Sequence, residues 1–248
     1  MPGMSRTLRF VIMAVLALVT TLLTPLSAEA EVPPAPAVGA CHTYGWTTFL
    51  SASDTSDPVP CAAAHVARTV YVGRLWTNEA YSTMVNDPKI GLYIFKQCLV
   101  PTQRAIGSWK TVVVAGYDGS SFVPTQAQYD AGARWFRCDV ILPGAGHLYA
   151  IPNRHPLGSP LSPGQFRCIH MTSRGGVPVA CAAPHTYRAA GVVWAPGAAY
   201  PSRATWLALG QAHCPGLVRS RNWFVVWASP LRWSAGDHYL TCYRPTTA

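Results

Sequence analysis

Negative charge is scarce in this 248-residue chain, with 10 acidic residues against 19 basic ones. Beyond Glu31 the only glutamate is Glu79, and most of the aspartates (Asp54, Asp57, Asp87, Asp118, Asp130, Asp139 and Asp237) fall in stretches that read as turns or caps. No facing pair of carboxylates can be nominated for glycoside cleavage. Also missing are the Gly-x-Ser-x-Gly elbow and Ser-x-x-Lys, His-Glu-x-x-His, the phosphate-cradling loop and the dinucleotide fingerprint. These absences count against the common hydrolases, metalloproteases and nucleotide enzymes. No catalytic residue, metal ligand or cofactor is assigned.

Lysine is rarer still: apart from Lys89, Lys96 and Lys110 the basic residues are arginines, scattered along the chain. A formal charge of +9 without a basic stripe or a recognition motif does not read as nucleic-acid binding. Attraction to anionic lipid heads or wall polymers is the more reasonable use of such charge outside a cell.

The chain does carry an uncharged run, Phe10 to Ala28, behind Arg6 and Arg9. With small residues in Ala28-Glu29-Ala30, residues 1–30 read as an export signal cut before Glu31. If uncut, the run would be the chain's one membrane attachment. Pro33, Pro34 and Pro36 make residues 31–39 an extended tether. Eight cysteines behind such a signal imply disulfides rather than metal or redox chemistry.

The cysteines fall in two sets of four, because one pattern occurs twice. Pro60-Cys61-Ala62-Ala63-Ala64-His65 returns as Ala180-Cys181-Ala182-Ala183-Pro184-His185. Cys41 precedes the first copy as Cys168 precedes the second, and Cys98 and Cys214 follow, each with a proline close behind. Ala131-Gly132 before Cys138 matches Ala235-Gly236 before Cys242. A repeat of this kind predicts two modules, residues 40–142 and 166–248. Between them, residues 143–165 hold five prolines and four glycines and read as a linker crossed by few contacts.

Each module reads as α+β: strands, one helix, then strands. Valine-rich and aromatic runs from Thr69 to Trp76 and from Ala189 to Trp194 predict strands. Asp87-Pro88 opens a helix with Ile90, Ile94 and Cys98 on one face. Ser202 opens its counterpart, with Leu207, Gly210 and Cys214 inward and a stop at Pro215-Gly216. In the closing strands Phe136, Cys138 and Val140 share a face, as do Leu240 and Cys242, while Arg137, Asp139, Thr241 and Tyr243 point the other way. Four cysteines allow three pairings per module. A helix on the apolar face of an antiparallel sheet favours Cys98 with Cys138 and Cys214 with Cys242, leaving Cys41 for Cys61 and Cys168 for Cys181.

His65 and His185 are the recurring polar residues. Each can hold the turn after its cysteine, ligate a metal if the thiols are free, or serve as a base; the turn is the preferred reading. Trp223, Trp227 and Trp233 are a possible aromatic platform for a glycan or peptide, although core packing is the commoner use of such residues.

On these features the chain resembles the septum-formation family of actinobacterial envelope proteins. The elements that carry the likeness are Ala40-Cys41, Val59-Pro60-Cys61-x-x-x-His65, Pro124-Thr125-Gln126, Ala131-Gly132 and Cys138, with Cys168, Cys181-x-x-x-His185, Cys214, Pro230, Ala235-Gly236-Asp237 and Cys242 in the second copy. The family pattern usually has an acid three positions after the histidine, where this chain has Arg68 and Arg188. The resemblance implies an exported protein of cell division or the envelope, bound to an envelope or divisome protein or a wall polymer, with no catalytic residue to transfer. Metal handling or an enzymatic use of the histidines is the alternative from another class, and wall-glycan binding is a third.

Overall fold

The computed structural model describes residues 32–246; the expected export signal at 1–30 lies outside them. The first half runs β1 (Cys41–His42), α1 (Trp46–Phe49), β2 (Ala67–Arg74), α2 (Tyr81–Asn86), α3 (Pro88–Ile106), α4 (Trp109–Val112), β3 (Asp118–Phe122), α5 (Gln126–Asp130), β4 (Trp135–Pro143) and β5 (Leu148–Tyr149). The second runs β6 (Arg167–Thr172), β7 (Gly175–Ala180), β8 (Tyr187–Trp194), α6 (Arg203–Val218), β9 (Phe224–Trp227), α7 (Pro230–Ser234) and β10 (Tyr239–Pro245).

Each half contributes an antiparallel sheet. The strand order is β1-β2-β4-β3, with β5 added to β4, in one, and β7-β6-β8-β10-β9 in the other. With the edge strand β7 set aside, the second order repeats the first. The correspondence extends to a bulge: Val70 in β2 and Ala190 in β8 are each left without a partner on the closing strand. The fold is therefore α+β, with two sheets and four disulfides. Cys41 joins Cys61, Cys98 joins Cys138, Cys168 joins Cys181 and Cys214 joins Cys242, the pairing that the helix-on-sheet geometry favours.

Asp87 caps α3 by accepting a hydrogen bond from the Lys89 amide, which satisfies one of the donors left open at a helix start. Ile90, Ile94, Cys98 and Ile106 form its buried stripe, and the first three meet Leu75 and, on the sheet, Phe136 and Cys138. In α6 the stripe is Trp206, Gly210, Cys214 and Val218, not the Leu207 register expected from sequence; Leu207 is exposed. Pro215 does not stop this helix, nor Pro101 α3. A proline inside a helix removes a hydrogen bond and crowds the preceding turn, but here the apolar stripe continues to Val218 and Ile106, whose burial holds the last turns in place.

The stretch 143–165 is not a free linker. Ile151 and Leu157 are buried in one cluster with Ile106, Val112, Tyr117 and Val140 of the first half and Ala180 of the second. The amides of Leu157 and Gly158 donate to the carbonyls of Ala105 and Ile106, closing the C-terminal end of α3 that would otherwise lack donors. The halves also touch directly. Gly116 N donates to Gln165 O and Arg167 N to Val114 O, both at 2.7 Å, and Trp109 Nε1 donates to Ala235 O at 2.9 Å. A side chain at Gly116 would begin 2.7 Å from Phe166 O and 2.9 Å from Ala180 Cα, so only glycine allows this approach. The expectation of few crossing contacts fails because apolar residues inside the proline-rich stretch carry it into the core.

Candidate functional site

The two Cys-x-x-x-His elements form matching turns. His65 Nδ1 lies 2.9 Å from Ala63 O, and His185 Nδ1 lies 2.8 Å from Ala183 O. A carbonyl can only accept, so Nδ1 carries the proton in both rings. His65 is buried with Nε2 unpartnered, and its backbone carbonyl accepts from Ile151 N. His185 is half-buried, and one of its ring nitrogens lies within 4.8 Å of the sulfurs of Cys168 and Cys181. Those sulfurs are bridged, however, and the sulfur ligand of zinc is a free thiolate.

Three residues on from each histidine the halves diverge. Arg68 is buried; its guanidinium donates to His155 Nε2, Asn153 Oδ1 and Arg154 O, fastening the inter-half segment to β2. Burial lowers its pKa, and it also lowers that of His155, which Arg68 depresses further. Arg188 instead lies over the Phe166 ring, 4.7 Å from its centre.

The main concentration of buried charge lies on the outer face of the first sheet. Arg137 and Asp139 point away from α3, as strand alternation requires, yet they are buried. Residues 43–58 fold over them, tied down by Val123 N donating to Ala52 O and Ser53 Oγ to Pro124 O. Arg137 bonds Asp54 Oδ2 at 2.6 Å and Asp139 Oδ2 at 3.1 Å. Tyr44 donates to Asp139 Oδ2 at 3.2 Å, and Thr69 donates to Asp139 Oδ1 at 2.8 Å. Since Thr69 spends its proton on Asp139, His42 Nε2, 3.0 Å from Thr69 Oγ1, must be the donor of that bond. His42 Nδ1 is left without a hydrogen bond, 3.9 Å from Asp54.

The electrostatics follow from burial. Desolvation, with Arg137 second, holds His42 below its ordinary pKa, the charges of Asp139 and Asp54 opposing. Burial pushes the Tyr44 hydroxyl far up, and Asp139 adds to this. For Asp54 burial acts upward, but the bonds from Ser56 and Arg137 outweigh it and hold the carboxyl low.

Sequence reasoning placed Asp139 on the correct face but did not find this network, because alternation alone cannot tell a covered face from a wet one. One signal was present: the first disulfide encloses a separation of 20 residues against 13 in the second half, and the extra chain is the cover.

The aromatic platform is not a surface. Trp233 is buried, donates from Nε1 to Ala198 O and stacks on His238. Trp227 stacks on the fully buried Trp206, and Trp223 packs against the same cluster. Trp227 from β9, Trp233 from α7 and Trp223 from the loop before β9 all pack into this cluster, where burying apolar area stabilises most.

Among the described residues no helix is long and apolar enough to cross a membrane. No curated protein and no solved structure matches the chain. A family model described as Septum formation matches residues 38–242 in one span that takes in both halves.

Proposed function

The chain belongs to the Septum formation family, and from that premise we propose that it is an exported envelope protein that serves septum formation by binding rather than by catalysis. Four disulfides fit an oxidising, extracytoplasmic setting. The partner is an envelope or divisome protein or a wall polymer. The repeated strand order, bulges and cysteine pairs support an origin by duplication of one unit.

The observation that carries the binding reading is burial: the network of His42, Thr69 and Asp139 lies beneath residues 43–58, out of a substrate's reach, and its hydrogen bonds hold the fold together. A tagged copy followed in dividing cells tests the reading. Enrichment at division sites is expected, and uniform distribution around the envelope would overturn the septal role.

A second reading, metal handling, draws on the proximity of Cys168, Cys181 and His185. It requires the reduced form. Zinc that raises the melting temperature only after reduction, and only with His185 present, would favour it.

A further inference from the structure

Strand β8 loses one of its neighbours part-way along. Only Tyr187 and Arg188 of the strand pair with β6, because β6 begins on the first half, where Arg167 N donates to Val114 O. Beyond that point β8 is bonded on one side, to β10. Ala195 N donates to His238 O, so by the alternation of an antiparallel ladder Val192 and Trp194 turn their amides and carbonyls to the open side. Among the described residues these groups have no hydrogen-bond partner.

The first half treats the same edge differently. Arg74 stands where the second half has Trp194; it puts a charge at the edge, and its carbonyl accepts from Tyr93 Oη of α3 at 3.1 Å. Leu209 holds the place of Tyr93 on α6, counted back from the helix cysteine, and has no group to donate. Sheets ordinarily blunt an open edge with charge, a cap or a cover. The run Gly191-Val192-Val193-Trp194 carries none of these, and Trp194 is 51% exposed.

This edge lies in a slot. On one face of β8 Leu217 of α6 lies against Gly191, and on the other Val114 packs with Ala189. Two hollows of about 530 and 480 Å³ run along the edge and meet at Val192 and Leu217. Leu161 and Phe166 extend the apolar wall, Lys110 and His213 stand in the lining, and no carboxylate among the described residues lines either hollow.

We propose that the slot takes an extended segment of a partner protein as a further strand on β8, a segment with apolar side chains and an acidic residue. Its backbone meets the open groups of Val192 and Trp194. Its side chains alternate between Leu217 on one wall and Leu161 and Phe166 on the other, and its carboxylate meets Lys110. In such strand addition main-chain bonds give affinity and side-chain pockets give selectivity. A second copy suits the slot less, since it would bring its own α6 and its own Lys110 against these. The inference rests on the reading of the chain as a binding protein and names the class of partner.

Amide hydrogen exchange of the oxidised protein, followed by NMR, tests it with a pool of acetylated hexapeptides that hold one aspartate among valine, leucine and threonine. Saturable protection of the Val192 and Trp194 amides is expected, with affinity about tenfold or more weaker for peptides N-methylated at alternate amides. Val192→Pro, which removes an outward N–H and no ladder bond, should abolish the protection of Trp194 while keeping the cooperative melt. Lys110→Glu, at an exposed position, should weaken binding severalfold. No protection by the pool, indifference to N-methylation, or affinity unchanged in both variants would each overturn the proposal. Protection that rises with protein concentration alone would give the edge to a second copy and overturn it as well. A chain that binds the peptides yet spreads evenly around the envelope would lose the septal role and keep this inference.

Discussion

The same structural position is polar in one half of the molecule and apolar in the other. Register equates His42, Thr69 and Asp139 of the first sheet with Ile169, Ala189 and Tyr243 of the second. The first set is a hydrogen-bonded network with Arg137 and Asp54; the second is an apolar cluster packed on Val114 of the first half. On the helix side the halves agree, with a disulfide from α3 to β4 and from α6 to β10. The inner face therefore defines the fold, while the outer face is free to vary with whatever covers it. In the first half the cover is the chain's own residues 43–58, and in the second it is the other half.

The comparison can be broken outright by separating the halves. A fragment from Pro163 to Ala248 would expose Ile169, Tyr243 and Ala180, and it would lose the bonds from Trp109 and to Val113. It should show no cooperative melt in calorimetry, whereas the intact chain should. A sharp transition in the fragment would mean that the outer face of the second sheet needs no cover.

Next in size is the polar network. Asp139→Ala removes the shared acceptor of Arg137, Tyr44 and Thr69, and breaking a buried pair on one side costs about 3 to 5 kcal/mol. Tyr243→Phe, at the matching position, removes a hydroxyl from an apolar cluster and should cost less than about 1 kcal/mol. Equal losses in urea denaturation would show that the network holds the fold no better than its apolar counterpart.

The two histidines differ less. His65→Ala removes a buried ring together with its bond to Ala63 O, at about 1 to 3 kcal/mol. His185→Ala removes a half-buried ring, whose place water can take, and should cost about 0.5 kcal/mol. Comparable losses in thermal melts would make the turns equivalent.

The smallest effect is in pH. His42 is held below 6.5 by burial and by Arg137, so below that pH the unfolded chain takes up the proton first, and stability declines from its full value above about 6.5. Asp54, held below 3.8 by Ser56 and Arg137 against burial, adds a loss as pH falls below 3.8 through its folded value. Asp237 of the second half goes the other way: burial raises it despite Arg232, so its contribution is full below 3.8 and is lost as pH rises above that. His42→Ile should flatten the stability profile just below pH 6.5, and an unchanged slope there would assign it to another group.

The cysteine pairing was legible because it depends on period. Ile90, Ile94 and Cys98 recur every four residues, and Cys138 alternates with Arg137 and Asp139, so a helix and a strand present their sulfurs to the same interior. What lay outside each sheet was not legible. Asp54 in a loop reads as solvated, and Asp139 reads as the wet side of a strand; both are dry because of a cover that local pattern does not encode. The stretch 143–165 misled for a related reason. Its prolines forbid regular structure, but Ile151 and Leu157 need none in order to be buried.

The paired bulges at Val70 and Ala190 bear on where this chain can change length. Each bulge absorbs one extra residue of an eight-residue strand, β2 or β8, and a single insertion or deletion elsewhere in that strand would turn every residue on one side of it to the opposite face. Residues 43–58 hold no strand and have no such phase to keep, and the disulfide that encloses them spans a separation of 20 residues against 13 in the second half. Tags, reporters or grafted epitopes should therefore be placed in the exposed stretch around Ser51 of the longer first span, and kept out of the two strands that follow the histidines.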